Sequence, residues 1–383
     1  MFNVLYVTGS RADFGIMEPL LQQLNDSDAY NLDVVATGMQ VENSYGHTVD
    51  FVREAGFNVI EEIGMNIRDT SAQTATKGLA RLTAGLAEIF GNTHYDAVII
   101  LGDRYEMLAV ANVATLYDVP IIHLHGGEQT LGNFDEAIRH AITKMATLHL
   151  TSTDEYQKRV IQMGENPNFV FNIGAMGVSN VLTEPQIDFE TLRVRYGFDI
   201  QSDRYLVVLF HPETLLSENE IKSQVNELNL ALRQIGMNVV LIGSNSDKGA
   251  MVIGDNLAQD DSSYKVFQIS SLRPAEYHAL VKNAYALVGN SSSGLIEVPS
   301  LHTPTINLGN RQEGRVAGPS VIQVPIISSD KIIAAIRQAR EIENFDNPYF
   351  KLNSVESAFN LIDKYLKSKD RRKGRFFDIS FSI

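Results

Sequence analysis

Cysteine is absent from this 383-residue chain, which excludes disulfides and thiolate metal sites and makes a reducing cytoplasm the expected compartment. Long apolar runs are also missing; none approaches the roughly 20 residues needed to span a bilayer, so no membrane partner is expected. The first residues run straight into strand-like sequence with no basic region before an apolar stretch, so no signal peptide is expected. Positive charge is in deficit, with 32 lysines and arginines against 46 acidic residues and a formal charge of −14. Such a chain has no global attraction to nucleic acid or anionic lipid, and any phosphate it binds must be held by local helix ends and a few arginines. Familiar signatures are missing too. There is no G-x-G-x-x-G, no G-x-x-x-x-G-K-[ST], no H-E-x-x-H and no G-x-S-x-G, which removes the usual support for dinucleotide, P-loop, zinc-protease and serine-hydrolase chemistry.

What is present is the composition of a globular protein, 44% hydrophobic and 20% charged, at a length that suits two domains. Short Val/Ile-rich runs at Asn3–Thr8, Leu32–Thr37, Asn58–Ile63, Ala97–Leu101, Ile121–Leu124 and Leu148–Thr151 read as strands. Helical patterns lie between them at Ile16–Leu24, Ser71–Phe90, Tyr105–Tyr117, Ala137–Ala146 and Asp154–Met163. A polar segment, Thr183 to Asp203, reads as a hinge, after which the alternation restarts with strands at Tyr205–Phe210, Asn238–Ile242, Lys265–Gln268, Ala286–Val288 and Thr305–Leu308. The expected class is α/β: two Rossmann-like, doubly wound parallel-sheet domains with a cleft between them. The expected divisions are 1–183, 184–354, and a C-terminal helix and tail, 355–383. The basic patch Lys369 to Arg375 reads as a solvated tail.

Ligands in such sheets bind beyond the C-terminal strand ends, and the polar oddities fall there. Asp103 follows the apolar run AVIIL and is either a helix N-cap or a site residue; Arg104 beside it favours the second reading. His123, His125, Glu128 and Asp135 share the next strand end and its loop. A metal site is conceivable there, but alternate residues share a face only on a regular strand, so no metal is expected and one histidine reads as packed. Asp135 is either the N-cap of the following helix or a cleft acid, and Arg139 one turn on could orient it. His211 ends VVLF before Pro212 and suits phosphate contact or proton transfer, against the reading of a packed histidine. The stretch YALVGNSSSGLIEVP, Tyr285 to Pro299, delivers small polar residues to a helix start. It reads either as an anion loop with a ribose-binding Glu297 or as an ordinary junction capped by Ser292 or Ser293. Arg11, Arg273, Arg311 and Arg315 are candidate phosphate contacts.

Jointly these motifs resemble the UDP-N-acetylglucosamine 2-epimerases, in their hydrolysing bacterial branch that makes N-acetylmannosamine for sialic acid synthesis. The carriers are VTGSRADFG (Val7–Gly15), DAVIILGDRYE (Asp96–Glu106), HLHGGEQTLGNFDEAIRHAITK (His123–Lys144), LHLTSTDEYQKRVIQMGE (Leu148–Glu165), VLFHPET (Val208–Thr214), GNSSSGLIEVPS and INLGNRQEGRVAG. The resemblance implies a GT-B arrangement whose C-terminal helix packs back on the first domain, no cofactor, and a homodimer or larger assembly. It implies loss of UDP from C1 with the C2 proton, then hydration of a 2-acetamidoglucal. It matches Asp103, Glu128, Asp135 and His211 to acid–base positions, and Arg11, Arg104, Asn245, Ser291, Ser292, Glu297 and Arg311 to nucleotide-sugar contacts. His125 and Arg139 join the expected substrate contacts. One departure is visible: non-hydrolysing relatives, and some hydrolysing ones, carry glutamate where this chain has His125. Rival readings are a UDP-diacetylbacillosamine 2-epimerase and a GT-B glycosyltransferase.

Overall fold

The computed structural model describes residues 1–69, 71–131, 135–183, 185–213, 216–243, 253, 257, 264–270, 272–369 and 376–380. Asn245 and the basic patch after Lys369 lie outside the described residues. Two compact units emerge. One comprises Met1–Glu128, Asp135–Ser179 and Lys351–Ile383; the other comprises Gln129–Phe134 and Asn180–Phe350.

The first unit is built as β1 (Phe2–Thr8), α1 (Arg11–Asn25), β2 (Tyr30–Thr37), α2 (Val49–Glu54), β3 (Asn58–Ile63), α3 (Ala72–Asn92) and β4 (Ala97–Leu101). It continues with α4 (Tyr105–Leu116), β5 (Ile121–Leu124), α5 (Asp135–Met145), β6 (Leu148–Thr151), α6 (Asp154–Gln162), β7 (Val170–Asn172) and α7 (Met176–Thr183), which crosses the unit boundary. Its sheet is parallel, in the order β3-β2-β1-β4-β5-β6-β7. Parallel strands are covered on both faces, and period-two alternation sorts their side chains into two cores. Val4, Tyr6, Ala97 and Ile99 enter one, with Leu20 and Leu24 of α1. Leu5, Val7, Val98 and Ile100 enter the other, with Leu82 and Leu86 of α3.

The second unit runs α8 (Phe189–Tyr196), β8 (Tyr205–Leu209), α9 (Glu218–Ile235), β9 (Asn238–Ile242), β10 (Val266–Ile269), α10 (Pro274–Lys282), β11 (Ala286–Gly289), α11 (Ser293–Ile296), β12 (Thr305–Leu308), β13 (Val321–Val324) and α12 (Ser329–Gln338). Its sheet is also parallel, β10-β9-β8-β11-β12-β13. Leu206 and Val208 face one core, Tyr205, Val207 and Leu209 the other. Helix α13 (Ser354–Lys367) belongs to the first unit, where Ala358 and Ile362 share a core with α1 and the Tyr30 hydroxyl donates to Asp363 at 2.5 Å.

Three local features differ from the sequence reading. The segment taken as a hinge holds α8, whose charges conceal a helix capped by Asp188 and closed by Gly197 in the left-handed region. Leu192 buries in the core and Phe189 stacks on Tyr205 at 5.8 Å. Strands β7 and β13 escaped notice because β7 has only three residues and β13, VIQV, is interrupted by an exposed glutamine. Finally, α1 begins at Arg11, earlier than its apolar pattern, because the Ser10 hydroxyl accepts the Asp13 N–H. None of the described helices is long and apolar enough to cross a membrane.

Candidate active site

Each sheet reverses its strand order once, and that reversal opens a crevice beyond the strand ends. In the first unit it lies between β1 and β4, in the second between β8 and β11. The residues following these strands are therefore the ones the fold offers to a ligand.

In the first unit the centre of the site is Arg139 of α5, 1% exposed. Its Nη2 pairs with the carboxylate of Asp103, beyond β4, and its Nη1 donates to the Glu128 carbonyl at 2.9 Å. A buried guanidinium thus holds two loops that sequence separates. Glu128 is 2% exposed; its Oε1 accepts from the Ser152 hydroxyl at 2.7 Å and lies 3.0 Å from His125 Nδ1. Backbone bonds stitch the strand ends together, Gly102 N–H to Leu124 O at 3.0 Å and His125 N–H to Leu150 O at 2.9 Å. Gly127 has φ +80°, and a Cβ there would sit 2.6 Å from the Tyr156 carbonyl, so the loop passes too close for a side chain. His123 is the packed member of the pair, with Nε2 2.8 Å from the Gly102 carbonyl and Nδ1 3.3 Å from the Thr143 hydroxyl. Burial pushes its pKa down to about 3, so it is neutral. Asp135 opens α5, half-buried, one turn before Arg139.

At the β1 end, Asp13 accepts from Gly9 N–H and from the Ser10 hydroxyl, each at 3.0 Å, and from the Thr8 hydroxyl. Burial raises its pKa to about 6, against the pull of those donors and of Arg104. Arg104 pairs with the fully buried Glu106 at 2.8 Å. Burial alone would weaken its charge, but Glu106 outweighs this and the pKa moves up, so Arg104 is a fixed cation. Arg11 lies over the Phe51 ring, 5.2 Å from its centroid.

The second unit organises its strand ends around Asn290, which the sequence reading took only as part of the small polar loop. Its side chain accepts from His211 N–H at 2.7 Å and donates to His211 O at 2.8 Å. Its carbonyl accepts from Arg311 at 3.1 Å and Gln312 at 2.8 Å. Through its side-chain amide and its backbone carbonyl, one buried asparagine thus ties together the loops after β8, β11 and β12. Its only sequence signal is its place directly after Gly289. Burial, then the Arg311 charge, pushes His211 down to about 3, which makes it a neutral hydrogen-bonding group. The anion loop is corrected in one respect: α11 has four residues, too few for a useful dipole, and Ser292 makes no side-chain cap. The N–H groups of Gly294, Leu295 and Ile296 are used within the turn, so an anion would be met by Ser291 to Ser293. Ser293 Oγ lies 2.7 Å from the Tyr277 hydroxyl and 3.1 Å from Ser291 Oγ. Glu297 lies 3.7 Å from His278 Nε2.

The fold therefore gathers Asp103, His125, Glu128 and Arg139 in one unit and His211, Ser291, Ser292 and Arg311 in the other. Among the described residues, no group of three or more histidines and acids is disposed to hold a metal ion.

Comparison with known proteins bears on these sites. A family model for UDP-N-acetylglucosamine 2-epimerase matches residues 22–363. The chain is 43% identical to polysialic acid biosynthesis protein P7 of Escherichia coli, covering 99% of this chain and 98% of that one. It is 32% identical to the hydrolysing UDP-N,N'-diacetylbacillosamine 2-epimerase of Legionella pneumophila, covering 94% and 95%. Among solved structures, the Methanocaldococcus jannaschii UDP-GlcNAc 2-epimerase in complex with UDP-GlcNAc and UDP superposes with a TM-score of 0.79 at 17% identity, covering 94% and 99%.

Proposed function

The chain belongs to the UDP-N-acetylglucosamine 2-epimerase family, and from that premise we propose that it is a hydrolysing member. In this reading it converts UDP-N-acetylglucosamine and water to UDP and N-acetylmannosamine for sialic acid synthesis. The observation that carries it is the buried Arg139, which fixes the Asp103 carboxylate beside the loop of Glu128. Elimination needs a base for the weakly acidic C2 proton and groups that stabilise positive charge as C1 loses its oxygen. Asp103, Glu128 and Asp135 supply that set. The C2–H pair becomes the C1=C2 double bond, the C1–O pair leaves with UDP, and water then adds across the glycal.

The second unit takes the nucleotide. Ser291 and Ser292 meet the diphosphate, neutral His211 donates a hydrogen bond to it, and Arg311 offsets its charge. Arg11 and Arg104 are further phosphate contacts, and Glu297 and Asn245 hold the ribose and base. A cytoplasmic homodimer or larger assembly belongs to the same reading, and light scattering tests the latter. The name of the Legionella relative favours a second substrate, UDP-diacetylbacillosamine, for the same chemistry.

Incubation with UDP-N-acetylglucosamine in heavy water tests the proposal. UDP, free N-acetylmannosamine and deuterium at C2 are expected. An epimer still attached to UDP would mean the non-hydrolysing reaction. Turnover of the bacillosamine substrate alone would move the assignment to that sugar. No UDP from either without an added acceptor would sink the proposal.

A further inference from the structure

His125 stands just after β5 with φ +63°, a left-handed backbone that is uncommon for a residue with a side chain. Its side chain is 11% exposed. Nδ1 lies 3.0 Å from Glu128 Oε1, and the Ser152 hydroxyl donates to that same oxygen at 2.7 Å. A carboxylate accepts, so Nδ1 carries the hydrogen and Nε2 keeps its lone pair. Nε2 is buried and meets no hydrogen-bonding partner among the described residues. His123, two positions earlier, has both ring nitrogens within reach of protein groups. The two histidines share a strand end but not a task.

We propose that His125 Nε2 is the base that removes the C2 proton of the bound sugar, with Glu128 as the positioning residue that sets its tautomer. The assignment rests on the 2-epimerase reading and goes beyond it, because it gives Glu128 its part through an imidazole. The dyad has the geometry of a base oriented by a carboxylate. In the step, Nε2 takes the proton, the C2–H electrons form the double bond, and the C1–O electrons depart with UDP. Hydration then places hydroxide on C1 and a proton on the opposite face of C2. The proton on Nε2 passes to solvent, matching the extra negative charge on free UDP. Glu128 faces the imidazolium while it exists.

The test uses the full chain, as wild type and as His125→Gln and His125→Ala. His125→Gln is expected to lose about 10²- to 10⁴-fold in kcat, with KM within about threefold, as for a lost general base. Added imidazole is expected to restore part of the turnover of His125→Ala. Wild-type kcat in both variants, beside a wild type that releases UDP, overturns the proposal. The tautomer is read independently by ¹⁵N NMR of histidine-labelled, ligand-free wild type. A hydrogen on Nδ1 of His125 is expected; a hydrogen on Nε2 overturns the assignment even where the variants fail to fold. A wild type that releases no UDP counts against the functional reading, while the NMR result still decides whether His125 has the lone pair the proposal needs.

Discussion

The two units carry the same strand order around their reversal points but equip them differently. The first places ionisable groups at its strand ends, Asp103 on Arg139, Glu128 against His125, and Arg104 on Glu106. The second leans more on neutral groups, with Asn290 on an uncharged His211, Gln312 and Arg311 on the Asn290 carbonyl, and a loop of three serines, while its buried acid Glu213 is met by the neutral Gln224. Topology selects where a ligand can sit, and the side chains there select whether protons move. Charged pairs in a buried setting suit charge development in a transition state, whereas neutral donors suit holding a diphosphate without trapping it.

The sharpest way to break this contrast is Asp103→Asn, which keeps size and removes charge. We expect kcat to fall by on the order of 10³-fold while UDP affinity, by calorimetry, stays within about threefold. Equal losses in both would mean that the first unit is not a purely chemical half. Next is Gly289→Ala. Gly289 has φ +151°, and a Cβ there would overlap the Leu209 carbonyl of β8, so β11 could no longer lie against it. A stability loss of about 3 kcal/mol in denaturant unfolding is expected, confined to the second unit by hydrogen exchange.

Acid should separate the units as well. An unfolded histidine titrates near 6.5, whereas His123 and His211 are held near 3. As pH falls below 6.5 the unfolded chain binds protons the folded one refuses, so each histidine lowers stability by up to about 1.4 kcal/mol per pH unit. Asp13 acts in the opposite sense. Its folded pKa of about 6 exceeds the ordinary carboxylate value of 3.8, so the folded first unit gains stability as pH falls across that window. His123 and Asp13 thus offset one another. In the second unit Glu276, which burial would raise but hydrogen bonds from Arg273 N–H, Tyr196 and Arg195 hold below the usual carboxylate range, loses stability in the same direction as His211. Between pH 6 and 4, exchange protection corrected for its intrinsic pH dependence should decline in β8 and β11 before β1 and β4. Simultaneous decline would remove the difference. The smallest expected effect is Ser292→Ala, which should weaken UDP binding by about 1 kcal/mol, roughly fivefold, and leave kcat nearly unchanged. Wild-type affinity would take Ser292 out of the nucleotide site.

Much of the fold is legible in the chain because parallel strands buried on both faces read as uninterrupted apolar runs, as in AVIIL of β4 and YLVVL of β8. Helix α8 was concealed for the converse reason, since FETLRVRY breaks its apolar residues with three charges and buries little beyond Leu192. The site was legible as residue types at strand ends and in the loops beyond them: Asp103, His211 and the serine loop follow apolar runs, and Glu128 and Asp135 lie in the loop and helix start after β5. Its wiring was not. Arg139 was readable as one turn from Asp135, but Asp103, the carboxylate it grips, lies 36 positions away. Asn290 clamps His211 across 79 positions, and no local pattern announces such a pairing. Nor does any spacing show that His123 is satisfied and His125 is not.

By itself the sequence determined the two α/β halves, their strand ends and the kinds of chemistry gathered there, because periodicity, turn residues and composition act over a few neighbours. Tertiary structure alone decided which carboxylate Arg139 holds, which histidine keeps an unpartnered ring nitrogen and which asparagine ties three loops together. Those choices depend on strand order, and strand order is settled by packing between segments that the chain keeps far apart.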